Sequence, residues 1–288
     1  MSQAPAPLLV IDGDNFAHRA YHSMPKSMKA PDGRPTNAIV GWTNMILSAV
    51  EAEQPRAVYV GWDTLGGETP TYRHKLWPAY QGGRVFDREL VQQLGALPGV
   101  ARAFGFGVGK AEGYEADDFL AAAARKEEAA GGKVLILTND RDAWQLVSDN
   151  VMVLAPRKGV SDLLRIGPAE VMERFGVTPD KVPDFKALAG DSSDKIPGAK
   201  GVGPQGAAQL LQKYGDLERV LENSSKLFAE AERLLMFREI VRMQDDLEVD
   251  LPESGPPDFI AGAAELARLG AATLAERVER MAGRMPGL

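Results

Sequence analysis

Short apolar runs that end in carboxylates recur along this chain, and nothing else in it limits the fold as tightly. Leu8–Ile11 runs into Asp12-Gly13-Asp14, Ala57–Val60 into Gly61-Trp62-Asp63, and Val134–Leu137 into Thr138-Asn139-Asp140-Arg141-Asp142. Runs this short and this apolar suit strands covered on both faces, as in a parallel sheet. Val151–Leu154 adds a fourth. Between them lie helix-like stretches: Ala38–Glu53, with Ile39, Trp42, Ile46 and Val50 at helical spacing, and the alanine-rich Ala116–Ala130. Strands separated by helices imply right-handed crossovers. The expected fold class is therefore α/β, a mainly parallel sheet flanked by helices.

In open sheets of this kind the working crevice lies outside the C-terminal ends of the strands. The three strand-end clusters then face one crevice. Glu115-Ala116-Asp117-Asp118, at the head of a helix, and Asp191-Ser192-Ser193-Asp194 complete the set. Each cluster alone has an ordinary explanation as a turn or a helix cap. Together they exceed what caps need. Carboxylates at this density raise one another's pKa unless a cation neutralises them, and hard divalent cations prefer oxygen ligands. Two divalent cations, Mg²⁺ or Mn²⁺, supporting phosphoryl chemistry are the expectation.

Composition removes other classes. The chain has no cysteine, so disulfides and zinc–thiolate sites are excluded, and His18, His22 and His74 are too few to favour an all-histidine zinc site. No apolar stretch approaches the roughly 20 residues of a membrane span. The opening Met1-Ser2-Gln3-Ala4-Pro5 lacks a signal-peptide pattern, so a cytoplasmic protein with no membrane partner is expected. The formal charge of −7 argues against bulk electrostatic binding to nucleic acid. Cations bound in the crevice would offset much of that charge.

The reading divides the chain into an α/β core over 1–166 with an insertion at about 64–92, a helical region over 167–250, and a tail over 251–288. The tail is expected to pack back on the core, with an amphipathic helix around Ala261–Ala282. The insertion mixes Arg73, Lys75 and Arg84 with Tyr72, Trp77 and Tyr80, which suits phosphate clamps beside stacking platforms for unpaired bases. In the helical region Gly201-Val202-Gly203 runs through Pro204 into a helix over Gln205–Tyr214. Glycines there let a phosphate approach backbone N–H groups, although an ordinary interhelical turn reads the same way.

The motifs Ile11-Asp12-Gly13 with Arg19 following, Trp62-Asp63, Tyr72-Arg73-His74 and Gly113-Tyr114-Glu115-Ala116-Asp117-Asp118 resemble those of the 5′-nuclease (flap endonuclease) superfamily. So do Thr138–Asp142 with Gln145-Leu146, and Gly190–Asp194 with Lys195-Ile196-Pro197-Gly198 leading into Gly201-Val202-Gly203. The likeness runs from about Leu8 to Leu251, and is to the bacterial branch found at the N-terminus of DNA polymerase I and in stand-alone exonucleases, here expected to stand alone. It implies a PIN-like core, a helical arch at the insertion and a helix-hairpin-type duplex-binding motif over about 186–214. It also implies metal ligands at Asp12, Asp63, Glu115, Asp117, Asp118, Asp140, Asp142, Asp191 and Asp194. DNA contacts are implied at Arg73, Lys75, Tyr80, Gln81, Lys200, Gly201, Val202, Gly203 and Gln205, with K⁺ at the glycine turn. The implied activity is two-metal hydrolysis of DNA, as a 5′–3′ exonuclease and flap endonuclease in replication and repair. Its substrate would be DNA with a 5′ flap, a 5′ overhang or a nick, and a monomer is expected.

Three positions depart from the family pattern. Gln81 follows Tyr80 where the arch carries Tyr-Lys, Lys195 follows Asp194 where Asn is usual, and the duplex-binding helix opens Pro204-Gln205-Gly206-Ala207 without a lysine and hydroxyl. Because Gln81 brings no charge, Arg84, one turn on, and Arg19 are the expected catalytic cations. Two rivals compete. A haloacid-dehalogenase-like phosphatase would use Asp12 as a covalent nucleophile, but leaves Glu115–Asp118, Asp140 and Asp142 unexplained, and Phe16 stands where it needs a hydroxyl. A non-catalytic DNA-binding relative is favoured by Gln81 and opposed by the complete set of acids.

Overall fold

A computed structural model describes residues 6–64, 70–82 and 86–283. Its first half alternates β1 (Leu8–Asp12), α1 (Gly13–Ser23), α2 (Asn37–Glu53), β2 (Ala57–Gly61), α3 (Tyr72–Leu76), α4 (Arg88–Ala103), β3 (Gly107–Gly109), α5 (Ala116–Ala129) and β4 (Val134–Leu137). β5 (Val151–Pro156) and β6 (Leu163–Ile166) close the sheet. The helices α6 (Pro168–Phe175), α7 (Val182–Ala189), α8 (Pro204–Tyr214), α9 (Leu217–Glu222), α10 (Ser225–Phe228) and α11 (Ala231–Val241) follow, then α12 (Phe259–Arg268) and α13 (Ala272–Ala282).

The strand order is β3-β2-β1-β4-β5-β6, with every pairing parallel except that of β6. β1 sits in the middle, its Leu8 opposite both Ala57 and Val134, and all five of its residues are buried. Alternation along the pleat sends its side chains to two cores. Leu8 and Val10, with Tyr59, pack under α5, α7, α8 and α11. Leu9 and Ile11, with Val58 and Val60, pack under α1, α2, α4, α12 and α13. The chain leaves β1 for β2 on one side and reaches β4 on the other. That switch point opens a crevice at the C-terminal edge.

Four elements differ from the sequence reading. β3 is Gly107-Val108-Gly109, too short and too glycine-rich to read as apolar; it stays small because the Tyr59 ring lies 2.6 Å from where a Cβ on Gly107 would sit. β6 is an antiparallel edge strand. α4 overlaps only the end of the expected insertion and runs on over a stretch to which the sequence reading gave no element, and the tail is two helices instead of one. The break comes at Gly270, whose φ of 84° admits glycine readily and whose absent Cβ would lie 2.3 Å from that of Ala30.

Candidate active site

The crevice is built by helices that begin where strands end. Asp12 is the last residue of β1 and the N-cap of α1: one carboxylate oxygen accepts from Asn15 N at 3.0 Å and the other from Thr138 Oγ1 at 2.8 Å. Gly13 lets α1 start against β2, since a Cβ there would meet the Trp62 ring at 2.6 Å and the Gly61 carbonyl at 2.7 Å. That close approach carries Asp14 to Asp63, whose N–H donates to Asp14 Oδ2 at 2.7 Å. Asp63 Oδ1 in turn accepts from Ala116 N at 2.7 Å, tying the end of β2 to the first turn of α5. Glu115 accepts from Thr71 Oγ1 and Tyr80 Oη, both at 3.0 Å. Asp140 Oδ1 accepts from Asp142 N at 2.9 Å. The result is a cleft of about 390 Å³ lined by Asp12, Asp14, Asp63, Glu115, Asp117 and Asp140, with Asn15, His18, Gln81, Phe86 and Ala116.

So many acids in one partly dry cleft cannot all ionise alone. Burial, with Asp63 and Asp140 nearby, pushes Asp12 up to about 7. Burial and the charge of Asp63 raise Asp14, and burial together with Asp140 and Asp12 raises Asp117 well above the carboxylate range. Glu115 is also raised by burial, against the pull of Arg73. The carboxylates offer hard oxygen donors and concentrated negative charge. These residues fit divalent ions.

A second acidic group lies alongside. Ligand atoms of Asp142, Asp191 and Asp194 come within 4.8 Å of one another. Here the sequence reading missed a partner: Lys186 of α7, 6% exposed, is ion-paired to Asp142 and, at 2.7 Å, to Asp191. Burial works against Asp191, but Lys186 and then Ser193 hold its carboxyl below the usual range, while burial raises Asp194. The only trace of Lys186 in the sequence is a lysine amid apolar residues on a short helix. Asp14 was also left out of the expected ligands, although it sits two residues from Asp12. Asp140 lines the first cleft and is not part of this second group.

Four residues expected to meet metal or DNA have protein partners instead. Asp118 is fully buried and does not line the cleft; Arg73 holds both its oxygens at 2.9 and 2.8 Å, and it also accepts from the N–H groups of Glu115 and Gln244. Arg73 is correspondingly 2% exposed, with Nε on the Ile240 carbonyl at 2.9 Å and Nη1 3.3 Å from Glu115, so its guanidinium is enclosed by protein groups. Tyr80 is buried, its hydroxyl on Glu115 and its ring edge-on to His74, which removes it as a stacking platform. Trp77 likewise packs edge-on to Phe237 of α11. These side chains strap the segment to α5 and α11 from within.

The remaining expected residues fall in two places. Gln81 lines the cleft and donates to Asp194 Oδ1 at 3.0 Å and to the Tyr80 hydroxyl at 2.8 Å. Arg19 is half-buried one turn beyond Asn15, and the Asn139 amide, oriented to satisfy its neighbours, accepts from its Nη1 at 3.0 Å. Lys75 is exposed on α3, and Arg84 lies outside the described residues. Away from the cleft, Lys200, Gly201, Gly203 and Gln205 are exposed and Val202 is half-buried. Gly201 has a φ of 79°, and Gly203 caps α8 with no side-chain bond, leaving the helix's first N–H groups open. Lys226 of α10 reaches this turn, its Nζ 3.5 Å from where a Cβ on Gly201 would lie.

A carboxylate-lined cleft at the switch point of a mainly parallel sheet, beside a helical region that exposes a glycine turn, is a fold and site suited to phosphoryl chemistry assisted by divalent cations. The chain belongs to the 5′-3′ exonuclease family: the N-terminal resolvase-like domain matches residues 7–176 and the C-terminal SAM fold residues 177–255. A DNA polymerase I of Mycobacterium bovis is 37% identical over 264 residues, covering 90% of this chain and 29% of that protein. The chain thus spans under a third of that relative's length. Among solved structures, bacteriophage T5 5′-exonuclease with bound zinc superposes with a TM-score of 0.67 at 18% identity, over 96% of this chain and 98% of that one. The catalytic core of Rad2 in complex with DNA substrate gives 0.59 at 12% identity, over 95% of this chain and 91% of that one. These two likenesses are of fold.

Proposed function

We propose that the chain hydrolyses DNA phosphodiesters near the junction of duplex and 5′ single strand, with Mg²⁺ or Mn²⁺ held by Asp12, Asp14, Asp63, Glu115, Asp117 and Asp140, and a second position offered by Asp142, Asp191 and Asp194. The observation that carries this reading is the cleft that gathers six carboxylates from the ends of distant elements, where burial and mutual repulsion favour their protonated forms and a hard cation would relieve both. When bound, divalent ions lower the pKa of water and stabilise charge on phosphate oxygens. The protein's own part is positional. Thr138, Asn15 and the α5 N–H groups fix the carboxylates, Lys186 neutralises the outer pair, and Gln81 donates beside Asp194.

Several finer points belong to the same reading. Duplex is held by backbone contact at Gly201–Gly203, where carbonyls suit K⁺ and open N–H groups suit phosphate, with Lys200 and Gln205 alongside. Substrates carry a 5′ flap, a 5′ overhang or a nick, and the protein works as a cytoplasmic monomer; no described helix is long and apolar enough to cross a membrane. The α/β unit extends to about residue 166 and the duplex-binding unit to about 250. The phosphatase alternative loses ground because it gives no role to Asp63, Glu115, Asp117 and Asp140, which line the same cleft as Asp12.

The test is labelled 5′-flap DNA incubated with Mg²⁺ or Mn²⁺ and with EDTA. Cleavage near the junction, abolished by EDTA, is expected. Asp117→Asn and Asp140→Asn should each lose orders of magnitude in rate while binding DNA nearly as well as the parent. Cleavage near the parental rate by both variants would refute the assignment.

A further inference from the structure

Three non-glycine residues in the described chain have a positive φ: Gln54, Gln81 and Lys195. Gln54 ends α2, where a left-handed residue is ordinary. The other two meet at the mouth of the acid cleft. Gln81, at φ 46°, lines the cleft and donates to Asp194 Oδ1 at 3.0 Å. Lys195, at φ 57°, sends its ammonium back to the carbonyl of Gly82. Left-handed backbone is unfavourable for an L residue, and such outliers gather at functional sites.

Nothing in the local backbone calls for a lysine at 195. The residue closes a four-residue loop whose ends, Asp191 and Ile196, exchange two hydrogen bonds of 2.8 Å. Glycine or asparagine adopts that conformation more easily. The loop turns Asp194 inward, 7% exposed, and leaves Lys195 exposed. Among the described residues a carbonyl holds the Lys195 ammonium and no carboxylate pairs with it. A neutral carbonyl is a weaker partner than an anion.

We propose that Lys195 is a substrate-contacting residue, its ammonium passing from the Gly82 carbonyl to the backbone phosphate of a nucleic acid entering the acid cleft. The proposal rests on the nuclease reading and assigns a residue to it. Six carboxylates line the cleft, so an incoming phosphate meets like charge until cations offset it. A cation held beside Asp194 on the Gly82 carbonyl can supply that charge without displacing any carboxylate ligand. Removing one such preorganised group typically costs about 10²–10³ in rate.

The test uses the full chain carrying Lys195→Asn, which removes the cation and suits the left-handed backbone. Three readouts are taken: single-turnover cleavage of 5′-flap DNA at saturating enzyme with Mg²⁺, the salt dependence of binding that DNA in EDTA, and the melting temperature of the protein. The rate should fall about 100-fold with no drop in melting temperature. The log–log salt slope should shrink by about 0.7–0.9, one phosphate contact. Adding Gln81→Lys, which puts a cation on the other side of the same contact, should recover at least about tenfold of the loss, since each fixed donor is worth at least that much. Parental cleavage by Lys195→Asn overturns the proposal. So does a slower variant that melts lower and gains nothing from Gln81→Lys, because that marks a structural residue. If the parent itself fails to cleave, the nuclease reading falls, and the salt slope then decides for Lys195: an unchanged slope rejects it.

Discussion

Arg73 shows how a residue's neighbours decide its role. In sequence it sits among basic and aromatic residues that suit DNA. In the fold its guanidinium grips Asp118 with two bonds, and both groups are buried. Breaking a buried pair from one side strands the other charge, at a cost of about 3–5 kcal/mol. Arg73→Ala and Asp118→Ala should therefore each lose stability of that order in urea unfolding, while Lys75→Ala, an exposed change, should move it by less than about 0.5 kcal/mol. Equal and small losses for all three would contradict the buried role. Gly13→Ala is the complementary case: its Cβ would enter the Trp62 ring and the Gly61 carbonyl, pushing Asp12 and Asp14 away from Asp63. It should cost about 1–3 kcal/mol by overpacking and lower cleavage further than its stability loss explains. The acids at strand ends were legible because strands and their crevice follow from apolar runs. The fate of Asp118 was not, because its sequence neighbours are cleft acids and only the return of α11 and the residues after it brings the Ile240 carbonyl to Arg73 and the Gln244 N–H to Asp118.

At the scale of elements, the strands with continuous apolar runs and the helices with regular spacing could be read directly, while β3, β6 and α4 could not. Their existence depends on tertiary partners: Gly107 and Gly109 form a strand only because Tyr59 needs their absent side chains. The glycine turn before α8 was legible as a motif but its charge was not. α8 opens without a cation, yet Lys226 arrives from α10 and Lys200 stands exposed beside the turn. Backbone contact reads no sequence, so affinity for duplex should be the same across base sequences and fall modestly with salt. Lys226→Ala should weaken binding uniformly and reduce the log–log salt slope by about 0.9, the share of one phosphate. A slope that does not change, measured by anisotropy across a salt series, would place Lys226 outside the interface.

For the whole molecule, the surplus acid in the cleft makes stability a function of pH and metal together. Asp12 has a folded pKa raised from the ordinary 3.8 to about 7, with Asp14, Asp117 and Glu115 also raised. A raised carboxyl favours the fold fully below its unfolded value and loses that contribution as pH climbs through the folded one. The metal-free protein should thus lose stability between about pH 4 and pH 7 on account of these groups. Asp191 has the opposite sign: its lowered carboxyl contributes above 3.8 and fails only in stronger acid, so it does not mask the window. Divalent ions require ionised carboxylates and bind the native state alone, so binding releases protons and strengthens with pH. Thermal melts at saturating Mn²⁺ and in EDTA should diverge as pH rises, with a small gap at pH 5 and a large one at pH 8. Asp12→Asn should shrink both the gap and the alkaline loss, because it removes one raised carboxyl and one ligand at once. A metal-induced shift of equal size at pH 5 and pH 8 would mean that the ions bind elsewhere, on carboxylates already ionised, and that the cleft at the switch point is not the metal centre.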